Sequence, residues 1–431
     1  MLKKIPVQQL RLGMHLHRLE GSWIQHPFWK THFVIDSTSD LQRLQTCGVT
    51  ECLIDTALGL DVATLGLDVD TAQPAERVER AERAERVARV APVVSVAPVP
   101  PVPTRTSPQP ARPMAAELKQ AAAICSRGRE AVTAMFNEAR MGRTVDAELC
   151  LPLVEEIAGS VQRNPGALVS LARLKTRDDY SYMHSVAVCA MMVALARQTG
   201  MDEDGCRTAG LAGLMHDIGK ALMPLDLLNK PGSLTDEEFR VIRTHPEEGH
   251  SLLAAGQGAA AATLDVVLHH HERMDGTGYP HRLPGDQIST LARMGAICDV
   301  YDAITSNRPY KAGWDPAQSI SRMASWQGHF DTTLFAAFVQ NLGIYPVGSL
   351  VRLASDRLAV VAEQNPAKLV SPVVMVFFSL KSQLPITPVR LDLAGTAAQD
   401  RIVSREEGGR ERFPRLEELW ADPDVLRAMR A

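Results

Sequence analysis

A proline-rich stretch over residues 91–113 constrains the fold most, because proline lacks an amide hydrogen and interrupts both helices and sheets. Eight of its 23 residues are proline, which predicts an extended, semi-rigid spacer. In the preceding residues 75–90, four glutamates each stand four residues before an arginine, a pattern typical of a solvated single helix. We therefore predict a charged helix and linker over residues 71–113, with a folded part on either side.

The first 70 residues carry the signals of a small α/β module. Alternating apolar and polar residues over 4–10 and 15–19 predict strands. Residues 39–48 resemble a short capped helix that ends at Gly48. A further strand is predicted over residues 49–55. We expect residues 1–70 to fold on their own and to bind a protein partner.

Residues 114–345 show the apolar periodicity of helices, separated by glycine, proline and aspartate. A long helix is predicted over residues 114–141, and its apolar side could pack on the core or pair with a second copy in a homodimer. Strand-like segments begin at residues 349, 358 and 372. The predicted fold class is therefore mainly α: an all-helical domain over 114–345, with the α/β module before it and a short β-rich appendage and tail over 346–431.

Composition excludes several classes of protein. Apolar residues make up 45% and charged residues 22%, which is ordinary for a globular chain. The net charge of −4 offers no field to attract nucleic acid. No apolar run is long enough for a membrane helix, and the first residues lack a signal-peptide core. Seven scattered cysteines without a C-x-x-C pair are typical of reduced thiols, so we expect a cytoplasmic protein without a nucleic-acid or membrane partner.

Eight of the 13 histidines fall between His184 and His281, and several stand beside aspartates. The candidate metal ligands are His184, the pair His216-Asp217, His245, the run His269–His271 and Asp299. Neutral imidazole and ionised carboxylate are ligands of hydrolytic metal sites, and the absence of nearby cysteine argues against structural zinc. Six or seven such ligands exceed what one tetrahedral ion takes and suit two ions that share the aspartate and a hydroxide.

Taken singly, each element has an ordinary explanation. A lone histidine is more often a surface or core residue than a ligand, a His-Asp pair occurs by chance, and a triple histidine could be an exposed loop. Only the joint pattern, together with the residues that surround it, favours a metal site.

Those surroundings resemble a known family. The matching segments are YSYMH at 180–184, AGLMHDIGK at 212–220, THPEEG at 244–249, HHERMDGTGYP at 270–280, DVYDA at 299–303 and RPYK at 308–311. Together they are similar to the HD-GYP subgroup of the HD metal-dependent phosphohydrolase superfamily over roughly residues 115–345. The N-terminal stretch is similar to a domain of uncharacterised function that often precedes HD-GYP domains in bacteria.

This resemblance implies a phosphodiesterase that hydrolyses the second messenger cyclic di-GMP to linear pGpG, with onward hydrolysis to GMP left open, by a hydroxide activated by two metals. It implies the metal ligands His184, His216, Asp217, His245, His270, His271 and Asp299. By analogy, His184, His216 and Asp299 hold one ion; His245, His270 and His271 hold the other; and Asp217 bridges. His250, His269 and His281 are expected to be bystanders. Mixed nitrogen and oxygen donors favour iron or manganese over zinc.

One position departs from part of the family. Members with three metals carry a glutamate one helical turn before the first histidine, where Tyr180 stands in this chain. Neutral tyrosine is a poor ligand, so we predict a two-metal site.

Substrate contacts are expected from five residues. Lys220 follows His216 by four residues and is expected to reach the phosphate, sharing the catalytic role with Asp217. The remaining predicted substrate-binding residues are Gly278, Tyr279, Arg308 and Lys311. The Gly278-Tyr279 loop could instead only shape the rim, and Arg308 and Lys311 could instead be a solvated loop.

Other assignments stay open at this stage. Glu272 and Asp275 could orient metal-bound histidines or act as ordinary caps. The main alternative function is a non-catalytic sensor that binds cyclic di-GMP. A further alternative is an HD phosphohydrolase that acts on nucleotides or RNA.

Overall fold

The computed structural model describes residues 2–20, 33–35, 38–46, 51–60, 112–174, 180–230, 232–306, 313–395, 400–406 and 409–430. The chain divides into two compact units, Met1–Pro103 and Thr104–Ala431, and each is described by itself. The predicted charged helix and most of the proline-rich spacer lie outside the described residues, so both stay predictions.

The first unit is a small α/β module, as predicted. Its strands are β1 (Leu2–Pro6), β2 (His15–Glu20), β3 (Phe33–Val34) and β4 (Glu51–Asp55), and its helix is α1 (Thr38–Thr46). The strands form one antiparallel sheet in the order β1-β4-β2-β3. Its own buried core consists of alternate apolar side chains of β1, β2 and β4, apolar residues beside the strands, and Leu44 of α1.

The second unit is built mainly from helices. In chain order these are α2 (Met114–Arg140), α3 (Leu151–Arg163), α4 (Pro165–Ala172), α5 (Tyr180–Gln198), α6 (Glu203–Met215), α7 (Leu225–Leu228), α8 (Asp236–Ile242), α9 (His245–Ala254), α10 (Ala261–His269), α11 (Thr290–Thr305), α12 (Pro316–Ala324) and α13 (Thr332–Leu342). A short 3-10 helix, Ile218–Leu222, follows α6. This confirms the prediction of an all-helical domain, and α2 packs its apolar side into the core.

Helix α5 lies at the centre of this unit. Every residue from 183 to 196 is buried, because the sequence is apolar on all sides of the helix, as in helices surrounded by others. Helix α6 packs against it closely: a side chain at Gly213 would place its Cβ 3.0 Å from the Val188 carbonyl oxygen. Glycine at this position therefore lets α6 approach α5, and the approach brings His216 beside His184.

The C-terminal part contains the predicted sheet and more. Strands β5 (Leu350–Leu353), β6 (Arg357–Glu363) and β7 (Val373–Ser379) match the predicted segments, while β8 (Leu384–Asp392) and β9 (Ile402–Arg405) were not predicted. The antiparallel order is β8-β7-β6-β5-β9. Strand β8 is largely exposed and contains Pro385 and Pro388. Prolines usually indicate the end of a strand, but an edge strand tolerates them.

The end of the chain is also structured. Helices α14 (Gly409–Arg412) and α15 (Pro423–Arg430) follow the sheet, and α15 buries Val425, Leu426 and Met429 in the main helical core. The charged composition of the last 30 residues hides this apolar face. The four-part domain division stays a prediction.

In the described part of the chain, no helix combines the length and the apolar character that crossing a membrane requires. The six cysteines that the described residues include are buried free thiols.

Candidate metal centre

Seven side chains from five parts of the helical unit meet in one buried region. His184 lies in the first turns of α5, His216 and Asp217 follow α6, His245 begins α9, His270 and His271 follow α10, and Asp299 lies within α11. Six of them are at most 6% exposed, and His271 is partly buried. The structure thus brings together all seven residues predicted as metal ligands.

His184, His216 and Asp299 form the carboxylate-rich half of the centre. The Nε2 atom of His184 lies 3.0 Å from Oδ1 of Asp299 and 3.2 Å from Nε2 of His216. With Asp217, these donor atoms all lie within 4.8 Å of one another, so they are close enough to share one ion.

His245, His270 and His271 form the histidine-rich half. The Nε2 atoms of His245 and His270 are 3.4 Å apart. The ring of His271 lies 4.1 Å from that of His270, measured between centroids. With Asp217, this half also offers donor atoms within 4.8 Å of one another.

Asp217 belongs to both halves through different oxygens. Its Oδ2 lies 3.3 Å from Nε2 of His216 and 3.5 Å from Nε2 of His184. Its Oδ1 lies 3.2 Å from Nε2 of His245 and 3.6 Å from Nε2 of His270. Among the described residues Oδ1 has no hydrogen-bond partner although it is buried, and an unpaired buried carboxylate oxygen is costly unless a cation meets it.

The histidine tautomers support the same conclusion. The Nδ1 atoms of His216, His245 and His270 donate to the backbone carbonyls of Gly213, Ile242 and Val267 at 2.8, 2.7 and 3.0 Å. Since a carbonyl only accepts, the proton of each neutral ring is on Nδ1 and the Nε2 lone pair points inward. Converging lone pairs and carboxylates repel one another unless cations lie between them, so the residues fit two metal ions.

The two halves perturb their histidines in opposite directions. Burial opposes protonation of His184, yet Asp217, Asp299 and Asp302 hold its pKa well above the usual value. In the histidine-rich half burial prevails: it lowers the pKa of His245 to about 4 and that of His271 well below the usual value. The rings of His245 and His271 are therefore neutral over the whole physiological range.

Lys220 lies beside the shared carboxylate. Its Nζ donates to Oδ2 of Asp217 at 2.5 Å, and its side chain is 25% exposed. Although burial acts in the other direction, Lys220 and His216 hold the pKa of Asp217 well below the ordinary range. The Lys220 ammonium group therefore contacts the shared carboxylate and is also partly accessible to solvent.

The loop that holds Gly278 and Tyr279 packs directly on the centre. The Tyr279 ring stacks on His271 with centroids 4.6 Å apart, and the peptide bond to Pro280 is cis. A Cβ at Gly278 would meet the backbone nitrogen of Arg273 at 2.6 Å, so glycine allows the loop to lie close to the preceding turn. Tyr279 therefore supports a histidine of the centre from outside.

Glu272 and Asp275 act as structural caps in this loop. Glu272 accepts from the backbone N–H groups of His281 and Leu283 at 2.7 and 3.1 Å. Asp275 accepts from the backbone and hydroxyl of Thr277 at 2.9 and 2.6 Å. The described hydrogen bonds of both carboxylates thus go to the loop, which corresponds to the capping alternative.

Asp302 lies in the DVYDA segment at 299–303 but had no predicted role. Its Oδ2 accepts from Nδ1 of His184 at 2.7 Å, and the side chain is fully buried. Asp302 follows Asp299 by three residues on α11, a spacing that puts both on one helix face and could have been read as ligand and support. It fixes His184 with Nε2 directed into the centre.

Arg243 is a second residue near the centre that the sequence did not predict. It stands two residues before His245, and its guanidinium carbon lies 4.4 Å from the centroid of the Tyr279 ring. It adds positive charge at the edge of the centre. Its proximity depends on the fold of α8 and α9, so no local sequence signal would have shown it.

Some predicted residues cannot be placed. Arg308 and Lys311 lie outside the described residues, as does the side chain of Tyr180. Their assignments stay predictions. His250, His269 and His281, expected to be bystanders, belong to neither of the two donor groups.

Comparisons with known proteins identify the class. A family model described as "HD domain" matches residues 161–334, and a "Domain of unknown function (DUF3391)" matches residues 2–150. The chain is 51% identical to "Cyclic di-GMP phosphodiesterase PA4108" of Pseudomonas aeruginosa, over 97% of this chain and 96% of that protein. The chain is also similar to the response regulator RpfG of Xanthomonas campestris, which is named a cyclic di-GMP phosphodiesterase. The two are 38% identical over 31% of this chain and 36% of the relative.

Another relative carries a different substrate in its name. The "3'3'-cGAMP-specific phosphodiesterase 1" of Vibrio cholerae is 30% identical over 44% of this chain and 44% of that protein. Taken with the seven-residue centre, these findings show a metal-dependent HD-domain protein. The chain belongs to the HD-GYP family, and its own DUF3391 match precedes and overlaps the start of the helical unit that holds the HD domain.

Proposed function

We propose that this protein is a metal-dependent phosphodiesterase that hydrolyses cyclic di-GMP to pGpG. The observation that carries the proposal is the carboxylate of Asp217, whose two oxygens face two separate groups of donor atoms. The named activity of a relative that is 51% identical over nearly its full length supports the same substrate. Onward hydrolysis to GMP is a question for product analysis.

Bound ions would supply a water of lowered pKa and would neutralise charge on the phosphodiester. The seven ligands would be His184, His216, Asp217, His245, His270, His271 and Asp299. Nitrogen and oxygen donors without sulfur support iron or manganese as the two ions.

The remaining chemistry belongs to side chains at the mouth of the centre. Lys220 would meet a non-bridging phosphate oxygen as a point charge, since its Nζ is already beside Asp217 and partly exposed. Arg243 would add attraction for the anionic substrate. Gly278 and Tyr279 would form the wall of the pocket, and Arg308 and Lys311 are proposed to contact the guanine or the second phosphate.

Catalysis is preferred to a purely sensory role for one reason. A site that only binds the nucleotide does not need buried donors arranged for two cations, and every ligand position predicted from the family is filled. A cytoplasmic location, a homodimer and a protein partner for residues 1–70 remain proposals from the sequence.

The test is turnover by the purified full chain, loaded anaerobically with Fe(II) or Mn(II). We expect pGpG from cyclic di-GMP, faster than products from 3'3'-cGAMP, and no product with Asp217→Ala. Tight binding of cyclic di-GMP without product under either metal would instead support the sensor. Preferred cleavage of 3'3'-cGAMP would retain the enzyme class and change the substrate.

A further inference from the structure

A second pair of histidines lies just outside the metal centre. His269 is the last residue of α10, and His281 follows the loop residue Pro280. Nε2 of His269 and Nδ1 of His281 are 3.0 Å apart. Neither histidine is a predicted ligand of the metal centre, so the proposed catalytic function leaves the pair without a role.

A carboxylate fixes one of the two rings. Nδ1 of His269 donates to Oδ1 of Asp265 at 2.8 Å, and the Ser289 hydroxyl donates to the other oxygen of Asp265. The proton of His269 is therefore on Nδ1, and its Nε2 lone pair points toward His281. A carboxylate that holds the far nitrogen of an imidazole is the usual support of a metal-binding histidine.

Without an ion, the two nitrogens form a hydrogen bond in which Nδ1–H of His281 donates to Nε2 of His269, and the same separation also suits a shared ion. Two ligands at ~2.0–2.1 Å from one ion and at tetrahedral or octahedral angles are roughly 2.9–3.4 Å apart. His281 is exposed and His269 is partly buried, so solvent can supply the remaining ligands. Imidazole nitrogen is a ligand that zinc, nickel and copper ions prefer.

We propose that His269 and His281 form a peripheral site for a divalent transition ion of the zinc class, with Asp265 as the residue that orients His269. When the ion binds, neutral His281 carries its proton on the solvent-facing Nε2 instead of Nδ1, so that Nδ1 of His281 and Nε2 of His269 both offer lone pairs to the ion. It would join the end of α10 to the loop that carries Tyr279. The site has two protein ligands, so it binds more weakly than the buried centre.

The structure offers variants that remove the ligands without removing the loop. The backbone N–H of His281 donates to Glu272 at 2.7 Å, so the main chain stays anchored when the imidazole is truncated. His250 on α9 is a matched control, because it is a partly exposed histidine of the same domain outside both donor groups.

The experiment is equilibrium dialysis of the full chain against saturating Zn(II), with bound zinc measured per chain. We expect His269→Ala and His281→Ala each to bind one equivalent less than the wild type, and His250→Ala to bind the same amount. Asp265→Asn should keep the equivalent and weaken it by about 10- to 100-fold. Equal zinc content in the wild type and in His281→Ala, with matching melting temperatures, would overturn the proposal whether or not the protein cleaves cyclic di-GMP.

Discussion

The two halves of the metal centre differ in charge and in the support of one histidine: His216, like the histidines of the other half, is held by a backbone carbonyl, whereas His184 is held by a carboxylate. In the carboxylate-rich half, His184 faces Asp299 at 3.0 Å and is fixed from behind by Asp302 at 2.7 Å. In the histidine-rich half, His245 and His270 are fixed by backbone carbonyls, and Asp217 is the carboxylate that both of them face. One half is therefore rich in negative charge, while the other consists mainly of neutral rings.

This difference has a consequence for affinity. A divalent cation gains more from two facing carboxylates than from one, so we expect the carboxylate-rich half to bind its ion more tightly. The rings held by backbone carbonyls are insensitive to side-chain substitution behind them, whereas His184 depends on Asp302. The halves can therefore be weakened separately, and their shared residue weakens both.

The largest effect is expected from Asp217→Asn, which removes the charge that both halves share. A loss of about 4 kcal/mol of transition-state stabilisation corresponds to a roughly 10³-fold fall in kcat. Metal analysis should show a loss of ions from both halves. Asp204→Asn is the control, because Asp204 is an aspartate at the other end of α6 whose side chain is 86% exposed. A normal metal content in Asp217→Asn would contradict the role of Asp217 in both halves.

A smaller effect is expected from Lys220→Ala, which leaves the ligands of both halves in place. Removing one cation that stabilises developing charge costs about 10²-fold in kcat. The metal content should stay at the wild-type value. The measurement is steady-state kinetics, with Lys119→Ala as the control because Lys119 is an exposed lysine on α2. An unchanged kcat in Lys220→Ala would remove Lys220 from the mechanism.

Asp302→Asn should affect only the carboxylate-rich half. Loss of a carboxylate behind a ligating histidine costs about 10- to 100-fold in metal affinity or activity. A titration with Mn(II) should show one ion weakened and the other retained. Asp226 is an exposed aspartate of α7, so Asp226→Asn should bind Mn(II) as the wild type does. Equal weakening of both ions in Asp302→Asn would show that the two halves are not independent.

The smallest effect is expected from Arg243→Ala, at the edge of the histidine-rich half. Loss of one charged contact to an anionic substrate, about 1.4 kcal/mol, raises KM about 10-fold and leaves kcat nearly unchanged. Arg240→Ala is the matched control, since Arg240 lies three residues earlier, on α8, and is 71% exposed. A fall in kcat without a change in KM would instead assign Arg243 to support of Tyr279.

The sequence predicted the ligands better than their supports. His184, His216 and Asp217 could be found because they stand in motifs whose residue types suit metal binding. Asp302 was not assigned a role, although its spacing from Asp299 places both on one helix face. Arg243 had no local signal, since it meets the Tyr279 ring only in the fold. The same limit applied to β8, where prolines at an edge strand concealed the strand, and to α15, where a charged composition concealed three buried residues.

The central claim is that Asp217 joins two ion sites into one centre. The most direct measurement is metal analysis together with electron paramagnetic resonance of the full chain loaded anaerobically with Mn(II). The account predicts two ions per chain with a spectrum of an exchange-coupled pair, and loss of the coupling in Asp217→Asn. Three ions per chain that are all lost when the site histidines are replaced, or two ions without coupling, would contradict it.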